Sequence, residues 1–273
     1  MKMSSVSIQE KINELNRIER SSEHYLNKYN EILKSIVSLK EIYTVVSRNT
    51  TDEEVKDNKG KIFFGLNNNM PTMWLFSEEK IAKEYAEYYQ FKRNDIYLVK
   101  KVEFQELLIS SYYAMFSGIY QVIIDEGRDF LICNIYDLVN ECFVKHGQPP
   151  VLAKSEYAIM NVLNSVRFCD DKLWIVPSKD TIGEEIILNK FVPVVEEDYI
   201  KVFVSEKDCK KYSKEQGNTN EIAIDMNISS LQNIIKVTID NNIKNVRFLI
   251  NDSEVKMSTT KLYNILQRMN GTE

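Results

Sequence analysis

The segment Trp74-Leu75-Phe76-Ser77-Glu78-Glu79-Lys80-Ile81-Ala82-Lys83-Glu84-Tyr85 reads as a short apolar strand that ends at a serine and turns into a helix. Further along, Val202-Phe203-Val204-Ser205-Glu206-Lys207-Asp208-Cys209-Lys210-Lys211-Tyr212 has the same grammar. Ser77 and Ser205 are the expected N-caps, because a hydroxyl there accepts a bond from a free amide of the first turn. Glu78, Glu79 and Glu206 then put negative charge at the positive end of the helix. A strand-to-helix unit written twice makes duplication the first question to ask of the fold.

The echo extends in both directions. Asn94-Asp95-Ile96-Tyr97-Leu98 answers to Asn220-Glu221-Ile222-Ala223-Ile224, each alternating as half-buried strands do. Helix-period stretches follow at 102–115 and 228–237. Next come Tyr120-Gln121-Val122-Ile123-Ile124-Asp125-Glu126 and Val246-Arg247-Phe248-Leu249-Ile250-Asn251-Asp252, apolar strands that close on two polar turn residues. Each leads to a last helix, at 135–144 and 259–269. Upstream, a helix at 31–39 precedes Ile42-Tyr43-Thr44-Val45-Val46, and one at 157–166 precedes Leu173-Trp174-Ile175-Val176-Pro177. Lys61-Ile62-Phe63-Phe64 and Phe191-Val192-Pro193-Val194-Val195 add one strand each.

The expected fold is therefore α+β: two tandem repeats, each a mixed β-sheet covered by helices. The punctuation His146-Gly147-Gln148-Pro149-Pro150 sets the border. It yields a helical arm over 1–30, a first repeat over 31–147, a linker over 148–153 and a second repeat over 154–273.

Leu75-Phe76-Ser77-Glu78 with Ala82 and Tyr85, and Phe203-Val204-Ser205-Glu206 with Tyr212, resemble the SseB N-terminal-domain family, named for serine-sensitivity-enhancing protein B. That family's late strand ends in an Asn-Pro-like turn. Here Asp125-Glu126 and Asn251-Asp252 take its place, so only Asn251 fits and the proline is absent. The resemblance implies two diverged SseB-like domains in a bacterial protein, and it brings no catalytic residues with it.

Residues 7–39 carry the most regular stripe. Ile8, Leu15, Ile18, Tyr25, Tyr29, Ile32, Ile36 and Leu39 recur at three- and four-residue steps, interrupted at Lys11 and Ser22. This predicts a long N-terminal amphipathic helix. Two uses are open to it: packing along its own domain, or a hairpin or coiled coil that self-associates with another chain.

Composition narrows the chemistry. A chain of 273 residues that is 44% hydrophobic and 27% charged is globular, and a net charge of −5 argues against a nucleic-acid partner. The eight glycines are isolated, with no GxGxxG, Walker A or GxSxG pattern, so dinucleotide, phosphate-loop and common serine-hydrolase chemistry are disfavoured. No secretory signal is legible at 1–10, and no apolar run reaches the ~18 residues of a membrane span. The four cysteines form no CxxC pair. A cytoplasmic protein with neither cofactor nor metal is expected. Cys142 and His146 stand four apart and are the one nucleophile–base pair to consider. Acidic runs at Asp52-Glu53-Glu54, Asp170-Asp171 and Glu196-Glu197-Asp198 read as solvated loops, the last as a hairpin turn.

The copies differ most in aromatics. The first continues as Tyr85-Ala86-Glu87-Tyr88-Tyr89-Gln90-Phe91, the second as Tyr212-Ser213-Lys214-Glu215-Gln216-Gly217. Such residues bury large areas against the other repeat or against a partner. The expected function is a non-enzymatic cytoplasmic protein-binding module of accessory or immunity type, working by surface complementarity on another protein, a basic one if charge guides encounter. The candidate partner-binding residues are Tyr85, Tyr88, Tyr89, Phe91, Glu196, Glu197 and Asp198. The alternative is a small-molecule-responsive regulator or an enzyme with its pocket between the repeats.

Overall fold

In the computed structural model, which describes residues 7–181, 190–217, 222–250 and 253–271, the N-terminal stripe is divided between two helices. Ser7 opens α1 (Ile8–Asn16) with a capping box: its hydroxyl accepts the Glu10 amide at 3.1 Å, and its own amide donates to the Glu10 carboxylate at 2.8 Å. Ser22 opens α2 (Glu23–Val37) by accepting the Tyr25 amide at 3.1 Å. The expected single long helix is thus corrected. The interruption at Ser22 is a helix start, because a serine there satisfies amides that it would compete with inside a helix. Half of the stripe (Ile8, Leu15, Ile32 and Ile36) is buried, and Ile18, Tyr25, Tyr29 and Leu39 are partly exposed. Ile8, Ile12 and Leu15 are buried, α1 packs on α2, and Lys11–Glu31 (3.0 Å) and Lys28–Glu14 (2.7 Å) tie the two together.

The fold is mixed α+β with several sheets, and the chain divides into two compact units, Met1–Val151 and Leu152–Glu273. In the first, α2 leads to β1 (Ile42–Val45), α3 (Asp52–Lys56), β2 (Phe64–Asn67), β3 (Met70–Leu75) and α4 (Glu79–Tyr88). Then come β4 (Lys92–Arg93), β5 (Ile96–Tyr97), β6 (Val99–Val102), α5 (Phe104–Phe116), β7 (Gln121–Ile124), β8 (Leu131–Asn134) and α6 (Ile135–Lys145). The strands β2-β3-β7-β8 form one sheet in which only β3 and β7 run parallel. β1 pairs with β6 and reaches β3 through a Tyr43–Phe76 bridge. Trp74, Phe76, Ile81, Tyr85 and Phe91 are core residues where α4 packs on this layer.

The second unit begins with a 3-10 turn (Lys154–Glu156) and α7 (Tyr157–Phe168). β9 (Leu173–Ile175), β10 (Val195–Glu196), β11 (Tyr199–Phe203), α8 (Glu206–Glu215) and β12 (Ile224–Met226) follow. It ends with α9 (Ile228–Asp240), β13 (Asn245–Ile250), β14 (Ser253–Ser258) and α10 (Thr259–Met269). Its strand order is β12-β9-β11-β13-β14, with β10 on β11 and β11 parallel to β13.

Three local expectations are corrected. The N-cap of α4 is Glu78, with no side-chain cap bond, and not Ser77; Ser205 does cap α8, accepting the Asp208 amide at 3.3 Å. The strand expected over 94–98 shrinks to the two residues of β5, since Asn94 takes a positive φ of 51° in the turn between β4 and β5. β8 and β14 were not foreseen as strands. The expected positions Asn220, Glu221, Asn251 and Asp252 lie outside the described residues.

Candidate functional site

Parallel neighbours bring their carboxyl ends together, and ligands of open α/β sheets commonly bind beyond such ends. Here β3 runs into Ser77 and β7 into Asp125. The Asp125 amide donates to the Leu75 carbonyl at 2.9 Å, and Asp125 then takes a φ of 62°, which a short polar side chain tolerates better than most. Its carboxylate is fully buried and accepts from the Ser77 amide (2.6 Å), the Ser77 hydroxyl (2.6 Å) and Gln9 Nε2 (2.7 Å). This is why Ser77 does not cap α4: its hydroxyl is spent on Asp125.

The turn puts Glu126, Gly127 and Arg128 beside α4. The half-buried Glu126 carboxylate accepts from the Trp74 indole N–H and, at 3.3 Å, from the Tyr89 hydroxyl. Arg128 pairs with Glu84 at 2.5 Å and holds that carboxyl below its ordinary range. Together with Ile81, Tyr85 and Tyr88 these residues line a cavity of about 380 Å³. Its aromatic wall is continuous: Tyr85 and Tyr89 have ring centroids 4.4 Å apart, and Tyr89 meets Tyr88 edge-on at 4.8 Å. Burial, and then the Glu126 charge, push both the Tyr85 and Tyr89 hydroxyls above the usual phenol range.

Of the four aromatics expected at a partner surface, the structure separates two from two. Tyr85 and Phe91 are buried core residues and are corrected accordingly; Tyr85 still forms one wall of the cavity. Tyr88 is 80% exposed and Tyr89 41%. Ile81, Ala82, Tyr85 and Ala86 form the inward face of α4, whereas Tyr88 and Tyr89 are its last residue and its C-cap, where that face is no longer covered.

Glu196, Glu197 and Asp198 make the β10–β11 turn in the second unit. Glu197 takes a positive φ of 51°, and the Asp198 carbonyl accepts the Lys244 and Asn245 amides. Glu196 is engaged internally by the Tyr199 hydroxyl, Lys201 (3.3 Å) and Gln216 (3.3 Å). Burial opposes its ionisation, but bonds from Tyr199, Tyr212 and Lys201 outweigh that and lower its pKa. Close by, Lys201, Phe203, Tyr212, Leu249 and Glu254 line a second cavity of about 320 Å³. Its charges are largely matched, with Arg247 on Glu254 at 3.0 Å and Lys201 on Glu196.

The Cys142–His146 pair does not form a nucleophile and base. Cys142 is buried and desolvation pushes its thiol up to about 12, so little thiolate exists near neutrality. His146 ends α6 at the surface. Among the described residues, no group of three or more His, Cys, Asp or Glu side chains is placed to hold a metal, and no helix is long and apolar enough to cross a membrane.

Sequence reading passed over Trp74, Glu126 and Arg128. Asp125-Glu126 looked like an ordinary polar turn, and only the position of that pair at the end of a strand parallel to β3 marks it. No protein-family model, curated protein or solved structure matches this chain.

Proposed function

We propose that this chain is a non-enzymatic, cytoplasmic protein-binding module of accessory or immunity type, built from two duplicated SseB-like domains. It grips its partner through the outer face of α4. The duplication is supported by spacing. The Val46–Ile62 bridge and the Pro177–Pro193 bridge are 131 residues apart at both partners. α4 and α8 have equal lengths and start 127 residues apart, at Glu79 and Glu206. α5 and α9 start 124 apart, at Phe104 and Ile228, as do α6 and α10, at Ile135 and Thr259. Register agrees: Met73 pairs with Val122 as Ile200 pairs with Val246. The spacing changes only between these blocks, where insertions are cheapest. This register replaces the sequence alignment of Ser77 with Ser205 by one of Glu78 with Ser205. The SseB likeness itself rests on the Leu75–Glu78 and Phe203–Glu206 segments.

One observation carries the binding reading. Tyr88 and Tyr89 present an exposed aromatic pair on a helix whose other outward residues are charged. Tyrosine is enriched among the few residues that dominate interfaces, and nothing in the folding of unit 1 requires Tyr88 to be a large aromatic. Replacing both with Ala should leave the circular dichroism spectrum unchanged. Affinity capture from the source cell, compared with wild type by quantitative mass spectrometry, should lose its specific partner by at least tenfold. Undiminished capture by the double variant would overturn the reading.

A further inference from the structure

We infer that the cavity between α4 and the 125–128 turn is a seat for an organic cation, the arginine side chain of the protein partner. The inference rests on the protein-binding reading above and names what that partner inserts. Three features of the cavity converge on it.

The first is an uncompensated charge. Glu84 is matched by Arg128, whereas Glu126 is held only by neutral donors, an indole N–H and a phenol O–H. Among the described residues no cation pairs with Glu126. A half-buried carboxylate left in this state has already lost part of its hydration, so a guiding positive charge meets a smaller desolvation cost there than at an open surface. The second feature is the wall. Tyr85, Tyr88 and Tyr89 line it, and a guanidinium that lies over the face of one of these rings is attracted by the negative side of its quadrupole. A volume of about 380 Å³ suits one long side chain and is small for a larger ligand. The third is the comparison of the two units. By the spacing given above, the second unit has Ile250 where the first has Glu126, and Glu215 and Gln216 where the first has Tyr88 and Tyr89. Carboxylate and aromatic pair are absent together, as expected if they serve one ligand.

Trp74 reports on the seat, because its indole N–H donates to Glu126. The probe is N-acetyl-arginine methylamide, and the control is N-acetyl-citrulline methylamide, which has the same shape and no charge. In a Trp174→Phe background, the remaining indole proton–nitrogen resonance belongs to Trp74. It should shift saturably with the arginine compound in the millimolar range and stay still with the citrulline compound. Glu126→Gln retains an oxygen acceptor for the indole and should weaken the effect by about tenfold or more. Tyr88→Ala should weaken it roughly two- to fivefold. No saturable shift, an equal shift with citrulline, or an undiminished one in Glu126→Gln would each overturn the seat. Partner capture separates the two levels. If Glu126→Gln keeps the partner that the tyrosine double variant loses, the cation seat fails and the binding module stands.

Discussion

Asp125 holds a conformation that few residues accept, at φ 62°, with three donors on a carboxylate that sees no solvent. Its local geometry and its hydrogen bonds reinforce each other. Without the carboxylate, the half-buried Ser77 amide would lose its acceptor, and an ordinary side chain would strain at that φ. Asp125→Ala should therefore cost about 2–4 kcal/mol in urea unfolding, while Asp125→Asn, which tolerates the φ and keeps one acceptor, should cost about half of that. Equal losses for the two would show that charge alone matters. The sequence displayed this residue only as one of two polar letters after an apolar strand. One of its donors is Gln9, which is 116 residues away, and no local pattern encodes a contact over that separation.

At the scale of elements, what was readable followed from periodicity. α4, α5, α6, α9 and α10 were visible because each keeps an apolar face. β14 was not, because Ser253–Ser258 is an edge strand whose alternation rests on two apolar residues, Val255 and Met257, of which it buries only Met257. β8 was missed for a different reason: Leu131–Asn134 has four residues and runs straight into α6, too short a stretch for a period to show. The inner tyrosine of the site could be told from the outer pair only after α4 was seen to turn Tyr85 inward. In α1, Ile12 and Leu15 are fully buried within unit 1. Ile12→Ala should lower stability by about 2–4 kcal/mol with no change of mass in sedimentation. A change of mass with stability intact would show that the stripe faces another chain.

For the whole molecule, the thiols make burial measurable. Cys133, Cys142 and Cys209 are buried and Cys169 is exposed. A disulfide reagent near neutral pH should therefore titrate one thiol rapidly in the native protein and four after denaturation; fast reaction of a second would refute the packing. Burial pushes the Cys142 and Cys209 thiols up to about 12 from an ordinary 9.0. The folded state thus favours the protonated forms. Their contribution is complete below pH ~8.5 and is lost as pH rises from there towards 12. The urea midpoint should fall steadily across that window, and a flat profile would contradict it.

Gln9 and Asn13 on α1 reach the 125–129 turn through the Asp125 carboxylate and through the backbone and side chain of Asp129. The turn that carries Glu126 and Arg128 is therefore moored from outside its own sheet. A protease cut within 17–22 would release the mooring while leaving every strand intact, so the grip of the aromatic face should slacken before the unit melts.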